Sequence, residues 1–345
     1  MSKPSVDAGK LFFIVLIWIC CLPTSAQDTP EAPTPLSDST PFQAVLSWDA
    51  GKDLGRSIYW SEVKWSPDGT MIAALSDLDL YILDANDGSL LAVHEEFTAS
   101  AFDWSPDSKQ FVTVTTYPMI SLNFWDAVTG NFIDGIEGVS NETDYLGNTI
   151  DVAWSPANDY IVTTGNFLML WNLKTRKPPT ILTGFAGAGY AVEWDSTGTR
   201  LVSSAMGPDS VEGEIPLFTV TVWDVKSHES VEMVFAFLGP RIAAISPDGQ
   251  RVATSSRGIE IRDIRSDQIL VEKSFAMSNI SAVEWQPTGQ LIAIADTDGD
   301  LQLHDAETGD ALQIIHAGEK AVSLSWKSDG TAFVSASDDR ITIWK

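Results

Sequence analysis

The chain contains little cysteine. Among its 345 residues there are two, Cys20 and Cys21, and both lie near the start of the sequence. The body of the chain therefore has no disulfide framework and no thiol for metal binding or nucleophilic catalysis. Apolar burial and hydrogen bonds must hold its fold together.

Basic residues are scarce as well. The chain has 21 Lys and Arg against 47 Asp and Glu, a net charge of −26 at pH 7. Nucleic acids and anionic membranes attract proteins mainly through positive charge, so this balance argues against both as partners. An acidic surface favours solubility, and it also steers basic molecules towards it. We expect a basic protein or peptide as the partner and no nucleic acid.

Long apolar runs are absent too. The apolar run at 11–22 is shorter than the about 20 residues that a membrane-spanning helix needs. Lys3 and Lys10 precede it, and Thr24-Ser25-Ala26 follows it. This order of basic, apolar and small residues is typical of a secretory signal peptide. We predict a cleaved signal over 1–26 and a mature protein that is secreted or held in the periplasm or at the cell surface, without membrane insertion. An uncleaved anchor is the alternative.

A linker is expected after the signal. Residues 27–41 are rich in Pro, Thr, Ser and acidic residues. Such a composition cannot bury apolar surface and predicts an extended segment. The folded part is therefore expected to span residues 42–345, and it shows no convincing helical periodicity.

The chain is rich in one short motif. Trp65-Ser66-Pro67-Asp68-Gly69 is the first of seven versions, spaced 39 to 51 residues apart. The other six begin at Trp104, Trp154, Trp194, Ile245, Trp285 and Trp326. A period of this length indicates many small, similar sheets rather than a single core.

Each copy has the pattern of an antiparallel meander of short strands. In the seventh copy, residues 322–326, 332–336 and 341–344 alternate between the turns. β-Branched residues in alternation, bounded by Asp, Gly and Ser, predict strands. The third strand often ends in an aromatic residue followed by an acid, as in Trp125-Asp126 and Trp223-Asp224, and a fourth strand follows.

Four strands per repeat, a Trp-Asp step closing the third and a period of roughly 43 residues resemble the WD-repeat β-propeller family. The resemblance covers roughly residues 42–345, although the Gly-His dipeptide usual in that family is missing. It implies an all-β fold, a seven-bladed propeller of four-stranded antiparallel blades. The Ser-Pro-Asp-Gly turns also resemble the propellers of bacterial periplasmic translocation proteins, so we expect a secreted member of bacterial type.

The chain carries a strand that can close the ring. The seventh copy ends at Lys345, after its third strand, and residues 43–47 have the pattern of the missing fourth strand. We predict that this N-terminal strand completes the last blade and removes the exposed sheet edges. We also expect the protein to be a monomer.

The repeated residues have structural explanations. One Trp per copy suits packing between blades, and the Ser-Pro-Asp-Gly segments suit tight turns. The segment from Asp296 to Glu307 has part of a calcium-loop spacing, but Leu301 stands where the loop needs Gly, so an acidic hairpin turn explains it better. The four histidines fall in different repeats: His94, His228, His304 and His316. We therefore predict no metal site, no cofactor and no catalytic residue.

Departures from the repeat mark a candidate binding face. Three of them, 116–119, 138–148 and 206–217, fall where second strands turn into third strands or where blades are linked. Insertions often build the binding face of a propeller, although loops also tolerate insertion without function. The predicted binding patch combines acids with aromatic and apolar anchors: Tyr117, Met119, Glu142, Asp144, Tyr145, Asp209, Glu212 and Glu214.

The family resemblance implies an exported, non-enzymatic scaffold for protein–protein interactions, a step by analogy because fold does not fix function. Two alternatives stay open. An extracytoplasmic enzyme, hydrolase-like or lactonase-like, would need Asp, Glu or His side chains with shifted pKa values gathered in the central channel. A propeller that binds a small ligand or a sugar would need exposed aromatic residues at its loops.

Overall fold

The computed structural model describes residues 41–55, 58–76, 79–94, 99–115, 119–140, 151–183, 188–206, 217–238, 242–255, 258–274, 280–317, 320–337 and 340–345. All of them lie in one compact unit, Pro33–Lys345. The predicted signal peptide and the linker up to residue 40 fall outside the described residues and stay predictions. In the described ranges, no helix has the length and apolar character needed to cross a bilayer.

Seven four-stranded antiparallel sheets confirm the predicted all-β, seven-bladed propeller. We number the blades in the order of the repeats. Blades 1 to 3 consist of β2 (Trp60–Trp65), β3 (Met71–Ser76), β4 (Leu80–Asp84), β5 (Leu90–His94); β6 (Phe102–Trp104), β7 (Gln110–Thr115), β8 (Met119–Asp126), β9 (Phe132–Ser140); and β10 (Asp151–Trp154), β11 (Tyr160–Thr164), β12 (Met169–Asn172), β13 (Thr180–Ile181).

The remaining blades follow the same order. Blades 4 to 6 consist of β14 (Ala188–Trp194), β15 (Arg200–Met206), β16 (Leu217–Asp224), β17 (Glu229–Leu238); β18 (Ile242–Ile245), β19 (Arg251–Ser255), β20 (Gly258–Asp263), β21 (Ile269–Ser274); and β22 (Ile280–Trp285), β23 (Leu291–Asp296), β24 (Asp300–Asp305), β25 (Ala311–His316). Blade 7 consists of β26 (Ala321–Trp326), β27 (Phe333–Ser337), β28 (Arg340–Trp344) and β1 (Ala44–Asp49). The first strands of neighbouring blades contact one another around the propeller, so they are the innermost strands.

The N-terminal strand closes the ring as predicted. β1 pairs with β28 in antiparallel register, and the backbones of Gln43 and Lys345 exchange hydrogen bonds of 2.8 and 3.0 Å. Buried residues join blade 7 to blade 1, among them Val334 and Tyr81. The closed blade therefore has the same four-stranded form as the other six. A five-residue helix, α1 (Ala50–Leu54), follows β1 and is one element that the sequence pattern did not predict.

The Ser-Pro-Asp-Gly segments are the turns between first and second strands. In blade 1, Ser66 Oγ donates to Asp68 Oδ1 at 2.8 Å and accepts from the backbone of Met71 at 2.9 Å. Gly69 has φ +73°, a conformation that residues with a Cβ atom rarely adopt. These bonds fix the end of each blade that we call the turn face. The opposite end, where second strands turn into third strands, carries the predicted insertions.

The repeated tryptophans are packing residues, as predicted. The innermost strand ends in a buried Trp in every blade except blade 5, where Ile245 takes its place, and the exposed fractions run from 3% at Trp104 to 8% at Trp154. A second set lies on third strands and donates its indole N–H to a hydroxyl of the neighbouring second strand. The pairs are Trp125–Thr113 at 2.9 Å, Trp171–Thr163 at 3.0 Å, Trp223–Ser203 at 2.8 Å and Trp344–Ser335 at 2.9 Å.

Candidate functional site

The predicted binding patch falls on segments outside the described residues. This applies to seven of its residues: Tyr117, Glu142, Asp144, Tyr145, Asp209, Glu212 and Glu214. Met119 is the first residue of β8, and its backbone alone is described. β15 ends at Met206 and β16 begins at Leu217, so the insertion of blade 4 joins its second and third strands. The patch itself stays a prediction.

The described residues gather charge near the propeller axis instead. One residue of each blade, the last but one of its innermost strand, has the same register against the second strand. We call these seven residues the ring: Lys64, Asp103, Ala153, Glu193, Ala244, Glu284 and Ser325. Side chains alternate along a strand, so the residues two positions earlier share the same side. This second level includes Glu62, Asp151 and Ser323.

At four of the seven junctions between blades, a ring side chain accepts a hydrogen bond from the backbone of the next blade. The acceptors and donors are Asp103 Oδ2 and Trp154 N at 2.7 Å, Glu193 Oε2 and Ile245 N at 3.1 Å, Glu284 Oε1 and Trp326 N at 3.3 Å, and Ser325 Oγ and Trp65 N at 3.0 Å. An innermost strand is a sheet edge whose outer N–H groups have no strand partner. The ring therefore satisfies these groups and links consecutive blades.

The other three junctions use an indole in place of a ring side chain. The indole N–H groups of Trp104, Trp194 and Trp285 donate to the carbonyls of Lys64 at 3.3 Å, Ala153 at 3.0 Å and Ala244 at 3.0 Å. Second-level carboxylates strengthen two of these junctions. Glu62 accepts from Phe102 N at 3.3 Å, and Asp151 accepts from Val192 N at 2.9 Å. In the described residues, the junction between blades 5 and 6 has no such carboxylate bond.

Lys64 is surrounded by hydrogen-bond acceptors on one side of the ring. Its Nζ atom is 2.9 Å from Glu62 Oε1 and 3.3 Å from Asp103 Oδ1. It also donates to the backbone carbonyl of Phe102 at 2.8 Å and reaches that of Val152 in blade 3 at 3.5 Å. The ammonium thus bonds groups of three consecutive blades. About a fifth of its side chain stays exposed, 23%.

Five carboxyl groups from five blades influence this ammonium or are influenced by it. Glu62, Asp103 and Asp151 raise the pKa of Lys64. Lys64 in turn opposes the rise in the pKa values of Glu193 and Glu284. Groups of blades 1, 2, 3, 4 and 6 can share one electrostatic neighbourhood only if they face the common axis. We therefore describe the ring and its second level as the lining of the central channel.

Burial shifts the pKa values of this lining. Burial raises the pKa of Glu62 to about 7, although Lys64 opposes the shift. Burial raises the pKa of Glu193 to about 8 with a contribution from Asp151, and that of Glu284 to about 8 with a contribution from Glu193. The pKa of Asp151 is also raised by burial. The pKa of Lys64 is raised because its carboxylate neighbours outweigh the opposing effect of burial.

The chemistry open to this lining follows from these protonation states. Lys64 stays protonated at neutral pH, so it is a counter-charge and not a nucleophile. Glu193 and Glu284 are mostly protonated at pH 7, which lets them release a proton when a cation approaches. In the described part of the chain, no group of three or more His, Cys, Asp or Glu residues is arranged to hold a metal ion. No histidine takes part in the described bonds of the ring.

The acidic segment in blade 6 is a hairpin turn in the structure. Asp296 Oδ1 accepts the backbone N–H groups of Asp298 at 3.0 Å and Asp300 at 2.9 Å. Asp300 also lies 2.7 Å from the exposed imidazole of His316. A carboxylate that caps its own turn in this way matches the hairpin interpretation of the sequence.

The ring escaped the sequence analysis because its position holds no repeated residue. Lysine, two kinds of acid, alanine and serine occupy the seven equivalent places. The available signal was positional: these residues share the place immediately before the repeated Trp. Asp103, Glu193 and Glu284 each precede such a Trp, and that recurrence of acids could have indicated the lining.

Two family models match parts of the chain. Residues 248–329 match the anaphase-promoting complex subunit 4 WD40 domain, and residues 56–128 match the eukaryotic translation initiation factor eIF2A. Both matches lie within the propeller. The first supports the WD40-repeat propeller family, as the Trp-Asp steps indicated.

Curated relatives match parts of the chain as well. Protein tipD of Dictyostelium discoideum is 23% identical over 64% of this chain and 42% of its own length. Autophagy-related protein 16 of Arabidopsis thaliana is 21% identical over 65% of this chain and 43% of its own length. Eukaryotic translation initiation factor 3 subunit I of Coccidioides immitis is 26% identical over 46% of this chain and 50% of its own length. The chain thus spans about half the length of the curated relatives it matches. All three organisms are eukaryotes, so the comparisons do not support the expected bacterial type.

Proposed function

We propose that this chain, whose matches support the WD40-repeat propeller family, is a non-enzymatic scaffold for protein–protein interactions. The observation that carries the proposal is the closed seven-bladed propeller together with its relatives. Two of the matched descriptions name subunits of larger assemblies, the anaphase-promoting complex and translation initiation factor 3. A rigid propeller whose edges are sealed presents loops at its two ends, and those loops are where a partner binds.

The proposed binding face is the end that carries the insertions, and the proposed partner is a basic protein or peptide. The net charge of −26 supports this choice, because an acidic field steers a basic partner and repels nucleic acid. The signal-like segment at 1–26 supports an exported scaffold. We propose that the mature protein is a monomer that starts at Gln27. N-terminal sequencing of the protein from its native host tests the start at Gln27.

The binding face is tested by a matched pair of charge variants. One variant changes Glu142, Glu212 and Glu214 to Gln, and the control changes three exposed glutamates elsewhere, Glu229, Glu272 and Glu307. Both lose the same charge. Proteins captured by the full-length chain from native extract are identified by mass spectrometry, and each is then titrated against both variants. A partner that loses affinity for the first variant alone supports the face, whereas equal loss for both contradicts it.

A specific observation favours an enzyme as the second candidate. Glu193 and Glu284 have pKa values of about 8 in the channel, the kind of shift that acid catalysts show. Against it, both carboxyls already accept hydrogen bonds that link blades. A hydrolase or lactonase that uses Glu284 would cleave p-nitrophenyl esters or simple lactones, and Glu284→Gln would abolish the activity. Cleavage that depends on Glu284 would replace the scaffold proposal with this one.

A further inference from the structure

One exposed corner of blade 2 is apolar where the corresponding corners of other blades are polar. The hairpin that joins β8 to β9 carries Val128, Phe132 and Ile133, with exposed fractions of 66%, 55% and 46%. We call these three residues the apolar corner. In the five other hairpins that join a third strand to a fourth, the position of Val128 holds an exposed polar or charged residue: Asn86, Lys174, Lys226, Arg265 or Glu307.

The apolar corner is held in place by the hairpin beneath it. Asp126 Oδ1 accepts the backbone N–H of Val128 at 3.2 Å, which holds the turn. Phe132 lies opposite Trp125 across the hairpin, and their rings meet edge to face at 5.6 Å. The indole of Trp125 in turn donates to Thr113 at 2.9 Å. An exposed aromatic ring on a fixed support loses little conformational freedom on binding, as at the hot spots of protein interfaces.

Blade 5 has similar strand residues but a charged corner. Ile269 and Leu270 occupy the places of Phe132 and Ile133, beside the same kind of bulge, and they are exposed as well. Arg262, which forms an ion pair, lies opposite Ile269 where blade 2 has a tryptophan. Blade 5 therefore supplies an internal control, because it exposes two apolar side chains without the rest of the apolar corner.

Acidic side chains border the apolar corner. A Cβ atom on Gly135 would lie 3.7 Å from Cζ of Phe132, so the Phe132 ring extends along β9 over this glycine. Glu137, two residues further, is exposed on the same side of the strand. Asp126 lies at the start of the hairpin. Neither carboxylate forms an ion pair among the described residues.

The two cations beside the hairpin already have acidic neighbours. Lys109, whose carbonyl accepts the N–H of Ala127, has its ammonium 3.9 Å from Asp107. Arg176 pairs with Asp134 at 2.7 Å. The field at the apolar corner is therefore negative, in keeping with the net charge of −26. A second copy of this chain would bring the same acids to a symmetric contact, so charge opposes self-association there.

We propose that the apolar corner binds a segment of another protein that carries an apolar anchor flanked by lysine or arginine. The anchor packs on Phe132 and Val128, and the cations face Asp126 and Glu137. Such a contact has the apolar centre and polar rim that are typical of protein interfaces. It goes beyond the proposed insertion face, because hairpins between third and fourth strands lie at the turn face.

The test starts from selection of displayed random peptides of twelve residues on the full-length chain. We expect the enriched peptides to carry an aromatic or branched apolar residue beside Lys or Arg. Synthetic copies are titrated by calorimetry against two matched double variants, Phe132→Thr with Ile133→Thr and Ile269→Thr with Leu270→Thr. Binding should weaken about tenfold or more in the blade 2 variant and stay unchanged in the blade 5 variant.

Single changes test the turn and the charge separately. Val128→Asn introduces the residue that blade 1 has at this place, and it should weaken binding about threefold or more because an apolar contact is lost. Glu137→Gln should weaken binding about threefold, since one acid of the rim is lost. The control Glu272→Gln removes an exposed carboxylate of blade 5 and should bind as the unmodified chain does. Circular dichroism confirms that each variant is folded before it is titrated.

Several results would overturn the proposal. They are the absence of any enriched peptide, equal loss in the two double variants, and enriched peptides without basic residues. Loss in the variant that changes Glu142, Glu212 and Glu214, with none in the blade 2 variant, assigns the peptides to the insertion face and overturns this proposal alone. Sedimentation equilibrium tests the remaining occupant: a dimer of the full-length chain that the blade 2 variant dissociates would assign the apolar corner to a second copy.

Discussion

One side of the channel carries its own cation, and the other side does not. Glu62 lies 2.9 Å from Lys64 and has a pKa of about 7, whereas Glu193 and Glu284, without an ion pair among the described residues, have pKa values of about 8. All three are glutamates on innermost strands that bond the next blade. The comparison teaches that carboxyl groups with the same structural task differ in their charge partners, since Lys64 stands at the ring position of one side and Ala244 at that of the other.

The largest effect should come from removing the cation. Lys64→Met keeps most of the apolar stem but leaves Glu62 and Asp103 without their partner. Breaking a buried pair in this way destabilises proteins by about 3–5 kcal/mol, and the partial exposure of this pair places the expected loss near about 3 kcal/mol at pH 8. Urea unfolding measures the loss. Burial raises the pKa of Glu62 to about 7, so Glu62 can become neutral by protonation and the loss of stability should shrink towards pH 5.

Lys64→Arg is the matched control for this prediction. It keeps the charge, so we expect a smaller loss with little dependence on pH. If Lys64→Met lost the same stability at pH 5 and pH 8, the side chain would matter for packing and not for charge. The cation of Lys64 would then not be what distinguishes the two sides of the ring.

A second, smaller effect sharpens the other side of the comparison. Burial raises the pKa of Glu284 from an ordinary 4.5 to about 8 in the folded protein. Its contribution to stability is therefore complete below about pH 4.5 and is lost as the pH rises through about 8. Glu284→Gln cannot ionise, and its amide oxygen can still accept from Trp326 N. The variant should match the unmodified chain near pH 5 and be more stable by about 1–2 kcal/mol at pH 9.

Unfolding midpoints at both pH values check this prediction, with Glu229→Gln as the exposed control. We expect the control to show no change in its difference from the unmodified chain between pH 5 and pH 9. A difference for Glu284→Gln that is the same at both pH values would mean that Glu284 titrates as an exposed group does. The evidence that Glu284 lies on a side of the channel without its own cation would then be lost.

The sequence predicted the blades well and the lining poorly, for one physical reason. Packing repeats from blade to blade, so the tryptophans repeat too, and residues 43–47 could be assigned to blade 7 from the sequence alone, where the structure has the strand at 44–49. The lining links each blade to the next, and different groups can form that link at different junctions. At one junction a backbone N–H donates to Asp103, at another a backbone N–H donates to Ser325, and at a third the indole N–H of Trp285 donates to a carbonyl instead. No residue type needs to recur, and only closure of the ring brings Lys64 and Glu193 into one neighbourhood.

The smallest predicted effects concern the hydrogen bonds of the ring without its charges. Ser325 is 8% exposed, and its hydroxyl accepts the backbone N–H of Trp65 at 3.0 Å. Ser325→Ala leaves that N–H without a partner and should destabilise the protein by about 1 kcal/mol. Ala244→Ser makes the opposite change, because Ala244 has the register in blade 5 that Ser325 has in blade 7.

We expect Ala244→Ser to add up to about 0.5 kcal/mol, since the new bond must offset the ordering of the hydroxyl. Urea midpoints measure both variants, and an unchanged slope with denaturant shows that the unfolded state is the same. Neither change alters charge, so neither should depend on pH. A gain from Ala244→Ser as large as the gain expected from Glu284→Gln at pH 9 would show that the weak point of this side is a missing hydrogen bond, and that the unpaired carboxyls matter little.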